Sequence, residues 1–437
     1  MRIACITAGA GRMYCGSCLR DNALAKALLD AGHDVQLIPT YTPTRTDEIN
    51  VSLHRVFLGG INIYLQQRFA LFRKSPQFLD RMLDFRPLLK ILTRLGISVD
   101  PADLGALTVS MLQGRDGFLR KEILKLARFL ADEIRPEIVN LPNSMLISLA
   151  PAIKAEMNVP VCCTLQGEDF FLDALREPFH SKALQIIREH ASFVDSFIAV
   201  SHYGARSMAD YLGIDRNRIQ VVPLGINFEG FHARSGAEPE PFTVGYLARI
   251  TPEKGLHVLC EAYRILRSRI PSARLRAAGY LAPEHKSYLA RVRLDMEACG
   301  LAGEFHYDGE LDRRSKLNFL HDLNVFSVPE HYADPKGLFL LEAMAAGIPV
   351  VQPRHGAFTE IVETAGGGIL VEPDNPEHLA QELWELWKDP VRAKEIGLRG
   401  YEGVRAHYSA AHMAETALAV YQSLLSSRTA GTPSEVT

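Results

Sequence analysis

Short runs of β-branched and other apolar residues alternate with longer amphipathic stretches along almost all of the 437 residues. Unbroken or period-two apolar runs predict strands, and a 3.6-residue period predicts helices. Their alternation predicts parallel sheets covered by helices on both faces, an α/β fold. In the first half, strands are expected over residues 2–7, 34–39, 54–58, 137–141, 159–165, 196–200 and 219–223. The pattern then restarts, with strands over 243–247, 273–277, 304–307, 325–328, 349–352 and 368–371. Between the halves lies a polar stretch, 230–241, that includes Ser235-Gly236-Ala237-Glu238-Pro239-Glu240-Pro241 and reads as a linker. The expected organisation is a Rossmann-like domain over 1–229, the linker, and a second such domain over 242–405. An amphipathic helix at 410–425, within a closing segment 406–426, and a disordered polar tail at 427–437 complete it. Two domains of similar size also suit a chain too long for one hydrophobic core.

Residues 60–125 interrupt the alternation as a largely helical insertion. Within 60–96, five Arg and two Lys stand against two Asp, with Tyr64, Phe69, Phe72, Phe78 and Phe85 interleaved. Such a surface suits a peripheral contact with an anionic membrane. It equally suits a helical hairpin that packs its apolar side and shows charge to water. Periodicity does not separate the two.

Composition narrows the function classes. A formal net charge of −3 argues against a nucleic-acid partner. Seven cysteines without framework spacing point to a reducing compartment. The N-terminus enters a strand-like run directly, so no secretory leader is expected, and no uncharged apolar run reaches the ~18 residues of a membrane span. The expected location is cytoplasmic, with membrane-peripheral attachment through 60–96 left open.

Three connections carry candidate chemistry. The first strand runs into Gly9-Ala10-Gly11, followed by Gly16 at a helix start. Gly11 and Gly16 there would let an anionic ligand approach backbone and helix N-terminus; ordinary turn chemistry is the plainer reading. The same loop holds Cys15-Gly16-Ser17-Cys18. It is too few ligands for a structural zinc, and the chain is too large for a redox module, so small buried residues are expected. In the second half, Arg249 and Lys254 sit on a strand-to-helix turn, where two cations plus free amides suit a diphosphate and its developing charge. Exposed surface bases are the alternative. Further on, Gly337-Leu338-Phe339 opens a helix in which Glu342 falls within an apolar run. An acid there needs a specific partner, such as the vicinal hydroxyls of a ribose. Asp334, eight positions earlier, is placed to meet a hexose hydroxyl. No Asp-x-Asp occurs anywhere, so no carboxylate pair for a divalent metal is evident.

These residues resemble the retaining GT-B glycosyltransferases of the family 4 group, the glycogen synthase or group 1 type, over most of the chain. Arg249 and Lys254 match the family's diphosphate-binding pair. Asp334 through Glu342 matches its E-x7-E motif, with Asp for the first acid. Gly337, Leu338 and Phe339 match its donor-binding backbone, and Gly356 through Val362 matches its glycine loop and "EIV" segment, with Glu360 its acid. Residues 222–227 resemble its "PNGVD". The resemblance implies two Rossmann-like domains facing a cleft, with a C-terminal helix crossing back to the first. It also implies transfer of a sugar from a nucleotide-sugar donor to a hydroxyl, with retention. Arg249, Lys254 and Asp334 would be catalytic; Glu342, Gly337, Leu338, Phe339, Gly356, Glu360, Gly11 and Gly16 would bind the donor. No cofactor beyond the donor substrate and no metal is implied. Where the family often has His in the first domain, the chain has Gln166, which hydrogen-bonds but neither gives nor takes a proton. Gln166, Glu168 and His202 are the acceptor-side candidates, for an acceptor that is a saccharide, a lipid-linked sugar or a small molecule. A nucleotide-sugar epimerase of the same architecture and a non-catalytic nucleotide-sugar-binding protein are the competing functions.

Overall fold

The computed structural model describes residues 1–10, 13–58, 101–234 and 238–430. They divide into two compact units. The first comprises Met1–Val200, Gly204–Pro223 and Ala414–Thr437, the second Ser201–Tyr203 and Leu224–Met413.

The first unit is built on six parallel strands: β1 (Arg2–Thr7), β2 (Asp34–Pro39), β3 (Ile138–Leu141), β4 (Val161–Leu165), β5 (Ser196–Ala199) and β6 (Ile219–Val221), in the order β2-β1-β3-β4-β5-β6. Every residue of β3 and β4 is buried. Strands covered on both faces read as continuous apolar runs rather than alternating ones, which is why these were legible as buried strands. Ile6, Val139, Leu141, Val161, Leu165 and Phe197 form the sheet side of one apolar cluster.

The second unit repeats the architecture with β7 (Thr243–Leu247), β8 (Arg274–Ala278), β9 (Phe305–Tyr307), β10 (Val325–Phe326), β11 (Val350–Pro353) and β12 (Gly368–Val371). Its order is β12-β11-β10-β7-β8-β9, again parallel throughout. From β7 the chain builds outward through β8 and β9, then returns to place β10 on the other side of β7. Connections therefore leave β7 and β10 in opposite directions. In open α/β sheets, the crevice at such a reversal, outside the carboxyl ends of the strands, is where ligands bind.

Two expectations are corrected. Residues 54–58 form no strand; an isolated bridge joins Ser52, just before them, to Leu37. The segment's apolar residues serve packing instead: Phe57 and Leu58 are buried, and the Phe57 ring lies 4.5 Å from that of Phe129. The closing helix also extends further than its apolar period, over Ala410–Ala430, where Arg428 bonds Asn158. Residues 431–437 lie outside the described residues. Of the insertion, Pro101–Leu112 and Arg120–Phe129 are helices. The basic, aromatic stretch 60–96 lies outside the described residues, as does Gly11.

Candidate functional site

The connection after β7 is shaped by its backbone. The Tyr246 hydroxyl donates to the Arg249 carbonyl at 3.0 Å, and Pro252–Lys254 makes a 3-10 turn ending at Gly255. Gly255 has φ +71°, and a Cβ there would lie 1.8 Å from the Pro329 carbonyl oxygen. Only glycine lets the loops after β7 and β10 touch at this point. That contact carries Lys254 to the loop after β10, where its ammonium lies 2.5 Å from Glu330 Oε1 and 3.0 Å from Asp334 Oδ2. Arg249 stays at the surface, 44% exposed, with Glu253 as an acid at 3.8 Å.

A third loop closes the group. Gly356, at φ +57°, follows β11 and packs its backbone on residues 333–334; an added Cβ would stand 2.6 Å from the Asp334 carbonyl oxygen. That oxygen accepts from the Ala357 N–H at 2.9 Å. The His355 ring bonds the Glu330 carbonyl at 2.9 Å. Gly337, with φ +118°, caps the helix Leu338–Ala345, so Leu338 and Phe339 supply its first-turn amides, which have no intrahelical acceptor. The Lys254 ammonium lies 5.7 Å from the Phe339 ring centre, and Phe339 meets Phe358 edge-on at 5.7 Å. Loops from the neighbouring strands β7, β10 and β11 thus gather Lys254, Asp334, Phe339 and Gly356 at the sheet's reversal point.

Burial acts unequally on the charges. It pushes Glu330, fully enclosed, up to about 8 despite Lys254 beside it. For Asp334, burial also pushes upward, but Lys254 and Lys336 outweigh it and hold the carboxyl below its ordinary range. Lys254 is favoured as the cation: burial opposes its charge and the two acids more than restore it.

Glu342 finds a partner within the protein. Its Oε1 lies 2.5 Å from the ammonium of Lys316, and both side chains are nearly enclosed. Lys316 and Glu330 were both missed in the sequence. Lys316 lies in a basic run, Arg313-Arg314-Ser315-Lys316, that looks solvated. It precedes buried Phe319 and Leu320 by three and four residues, the signature of a residue on the inner helix face. For Glu330 the only signal is an acid directly after a buried strand.

Other candidates are held by local bonds. Both oxygens of Glu360 accept backbone N–H groups, from His202 at 3.0 Å and Tyr203 at 3.2 Å, and the His202 side chain is exposed. Gln166 is buried at the end of β4, donating to the Pro142 carbonyl at 2.8 Å. Glu168 is buried too, accepting from the amides of Ser144 and Gln166 at 3.2 and 3.0 Å, so it braces its loop. Gly16 begins the helix Gly16–Asp30 with open space where a Cβ would stand, whereas Gly9 is packed on Thr42. Cys18 is buried and Cys15 half-buried.

Two parallel sheets, the second with three glycine-shaped loops gathered at its strand reversal, define an α/β protein of two Rossmann-like units. The model of the glycosyl transferases group 1 family matches residues 227–403, and that of Glycosyltransferase Family 4 matches 106–229. Together the two glycosyl transferase models span residues 106–403, and the two parallel six-stranded sheets give the chain the GT-B fold. The chain is 30% identical over 251 residues to alpha-maltose-1-phosphate synthase of Mycolicibacterium smegmatis, covering 52% of this chain and 63% of that protein. It is 29% identical over 229 residues to a GDP-mannose-dependent alpha-(1-6)-phosphatidylinositol monomannoside mannosyltransferase of Mycobacterium tuberculosis, covering 50% and 57%. The chain thus spans a little over half the length of these curated relatives. Among solved structures, HepE of Anabaena in complex with UDP and glucose superposes with a TM-score of 0.67 at 15% identity, over 97% of this chain and 100% of that one. Sucrose-phosphate synthase of Thermosynechococcus elongatus gives 0.69 at 17%, over 97% and 99%. At these identities the likeness is one of fold.

Proposed function

We propose that the protein transfers a sugar from a nucleotide-diphosphate sugar to an acceptor hydroxyl, with retention at the anomeric carbon and without a metal ion. The observation that carries this reading is Lys254 at the reversal point of the second sheet, beside Phe339 in the first turn of the helix Leu338–Ala345, with Arg249 exposed on the same loop. The match of residues 227–403 to the group 1 model and the naming of its relatives as a synthase and a mannosyltransferase support the same reaction class.

In this reaction the acceptor oxygen forms a bond to the anomeric carbon while the bond from that carbon to the diphosphate breaks. The electron pair leaves with the phosphate, which takes the acceptor's proton on the same face of the sugar. The protein's task is then electrostatic: fixed cations and amides stabilise the charge growing on the diphosphate. Arg249 is placed to do this directly. Lys254 does so by exchanging one of its carboxylate partners for phosphate oxygen, and Asp334, bonded to it, meets a hydroxyl of the sugar. The absence of any Asp-x-Asp in the sequence leaves this neutralisation to the side-chain cations. Gln166 orients without moving a proton, which suits a reaction in which the leaving group is the base. UDP in the HepE complex makes UDP-sugars the first donors to try.

The test is titration calorimetry with UDP-, GDP- and ADP-sugars, followed by product analysis with and without saccharide acceptors. Arg249→Ala removes an exposed side chain and should leave folding within about 0.5 kcal/mol. Losing a charge-assisted contact worth about 1.5–3 kcal/mol should weaken binding of the nucleoside diphosphate roughly 10- to 100-fold. Conversion of the donor to its epimer without an acceptor would reveal an isomerase instead. Binding with no turnover under any acceptor would leave a binding protein.

A further inference from the structure

Three ionisable groups share one buried spot with mismatched charge: a single ammonium, Lys254, and two carboxyls, Glu330 and Asp334. The carboxyls are satisfied unequally. Asp334 bonds through both oxygens, Oδ2 to Lys254 at 3.0 Å and Oδ1 to the Lys336 N–H at 2.9 Å. Glu330 bonds Lys254 through Oε1 only, and its Oε2 is buried without a hydrogen-bond partner. An ionised oxygen so enclosed is far costlier than a protonated one. Glu330 is also fixed in place: its N–H donates to the Val328 carbonyl at 2.8 Å, its carbonyl is held by His355, and Pro329 before it abuts Gly255.

Resting on the function proposed above, we infer that Glu330 is a positioning residue whose single proton sets how well Lys254 receives the donor's diphosphate. With the proton on, Lys254 and Asp334 cancel and the ammonium can turn to phosphate oxygen. With it off, the pocket carries one more negative charge against an incoming dianion, and Lys254 is held by two carboxylates. The groups facing Glu330 are Lys254 from the loop after β7, Tyr246 on β7 itself, Asp334 and Lys336 from its own loop, and His355 after β11. Burial places the change near pH 8, above the ordinary carboxyl range. One proton gained on binding limits the loss of affinity to tenfold per pH unit, or up to about tenfold between pH 7 and 9.

The experiment measures binding of UDP, GDP and ADP to the full chain from pH 7 to 9, in the wild type, Glu330→Gln and Arg249→Ala. The wild type should weaken several-fold with a midpoint near pH 8. Glu330→Gln, neutral at every pH, should show a flat profile, and the donor KM should follow the same pattern. Arg249→Ala should bind weakly yet keep the wild-type midpoint. A wild-type profile flat to pH 9 overturns the inference without reference to any variant, so it stands even should the Gln variant misfold. The same limb in Glu330→Gln overturns it too. If none of the three diphosphates binds the wild type, the donor-site reading itself fails and takes this one with it. If they bind and weaken on Arg249→Ala without the pH limb, only the inference fails.

Discussion

Replacing Lys316 by Met tests the least expected contact in the second unit. The ammonium of Lys316 and the carboxylate of Glu342 lie 2.5 Å apart with 7% and 11% of their side chains exposed. Breaking such a pair from one side leaves a buried charge uncompensated, at a cost of about 3–5 kcal/mol. Met fills much of the space of the lysine stem, so packing loss adds little and about 3 kcal/mol is expected. Removing both charges, in Lys316→Met with Glu342→Leu, should recover most of that loss, because an apolar pair of similar volume avoids the desolvation of two ions. Urea unfolding followed by tryptophan fluorescence suits the question. The chain's two tryptophans, Trp384 and Trp387, lie on one helix of this unit, Pro376–Lys388, so the signal reports the unit that holds the pair. With a slope of about 2 kcal/mol per molar urea, the single variant should unfold 1–2 M earlier. A midpoint within about 0.3 M of the wild type, or a double variant no more stable than the single, would refute the argument from burial.

Gly356→Ala forces a left-handed residue, about 1–2 kcal/mol from conformation alone, and drives a methyl against the Asp334 carbonyl. Thermal melting should fall and nucleoside-diphosphate binding weaken; unchanged values for both would contradict the three-loop geometry. Because burial raises Glu330 to about 8 in the folded chain, its contribution to stability is greatest below its ordinary carboxyl range and is lost as pH rises through 8. Melting temperatures of the wild type should therefore drop relative to Glu330→Gln between pH 5 and 8, and parallel curves would contradict this. Of the seven cysteines only Cys299 is exposed and Cys15 half-buried. Native protein should accordingly show one fast thiol and one slow one toward a disulfide reagent, and three or more fast thiols would exclude the packing described.

What was readable in the chain was local. β1, β2, β7 and β12 fall on the residues their apolar runs predicted, and the remaining ladder strands lie within a few residues of theirs, because a strand's pattern depends only on which faces it buries. The loops bearing Arg249, Lys254 and Asp334 were legible for the same reason, as glycine-marked turns after such strands. The failure at 54–58 shows the limit: apolar residues report burial, and Phe57 and Leu58 are buried without joining a ladder. Partnership was decided only by the tertiary structure. Lys254 meets Glu330 across 76 residues and Glu342 meets Lys316 across 26. Each meeting depends on how separate elements pack, and the first of them on β10 lying beside β7. Periodicity says that a residue is inside; it carries no information about strand order, and strand order chooses the neighbour.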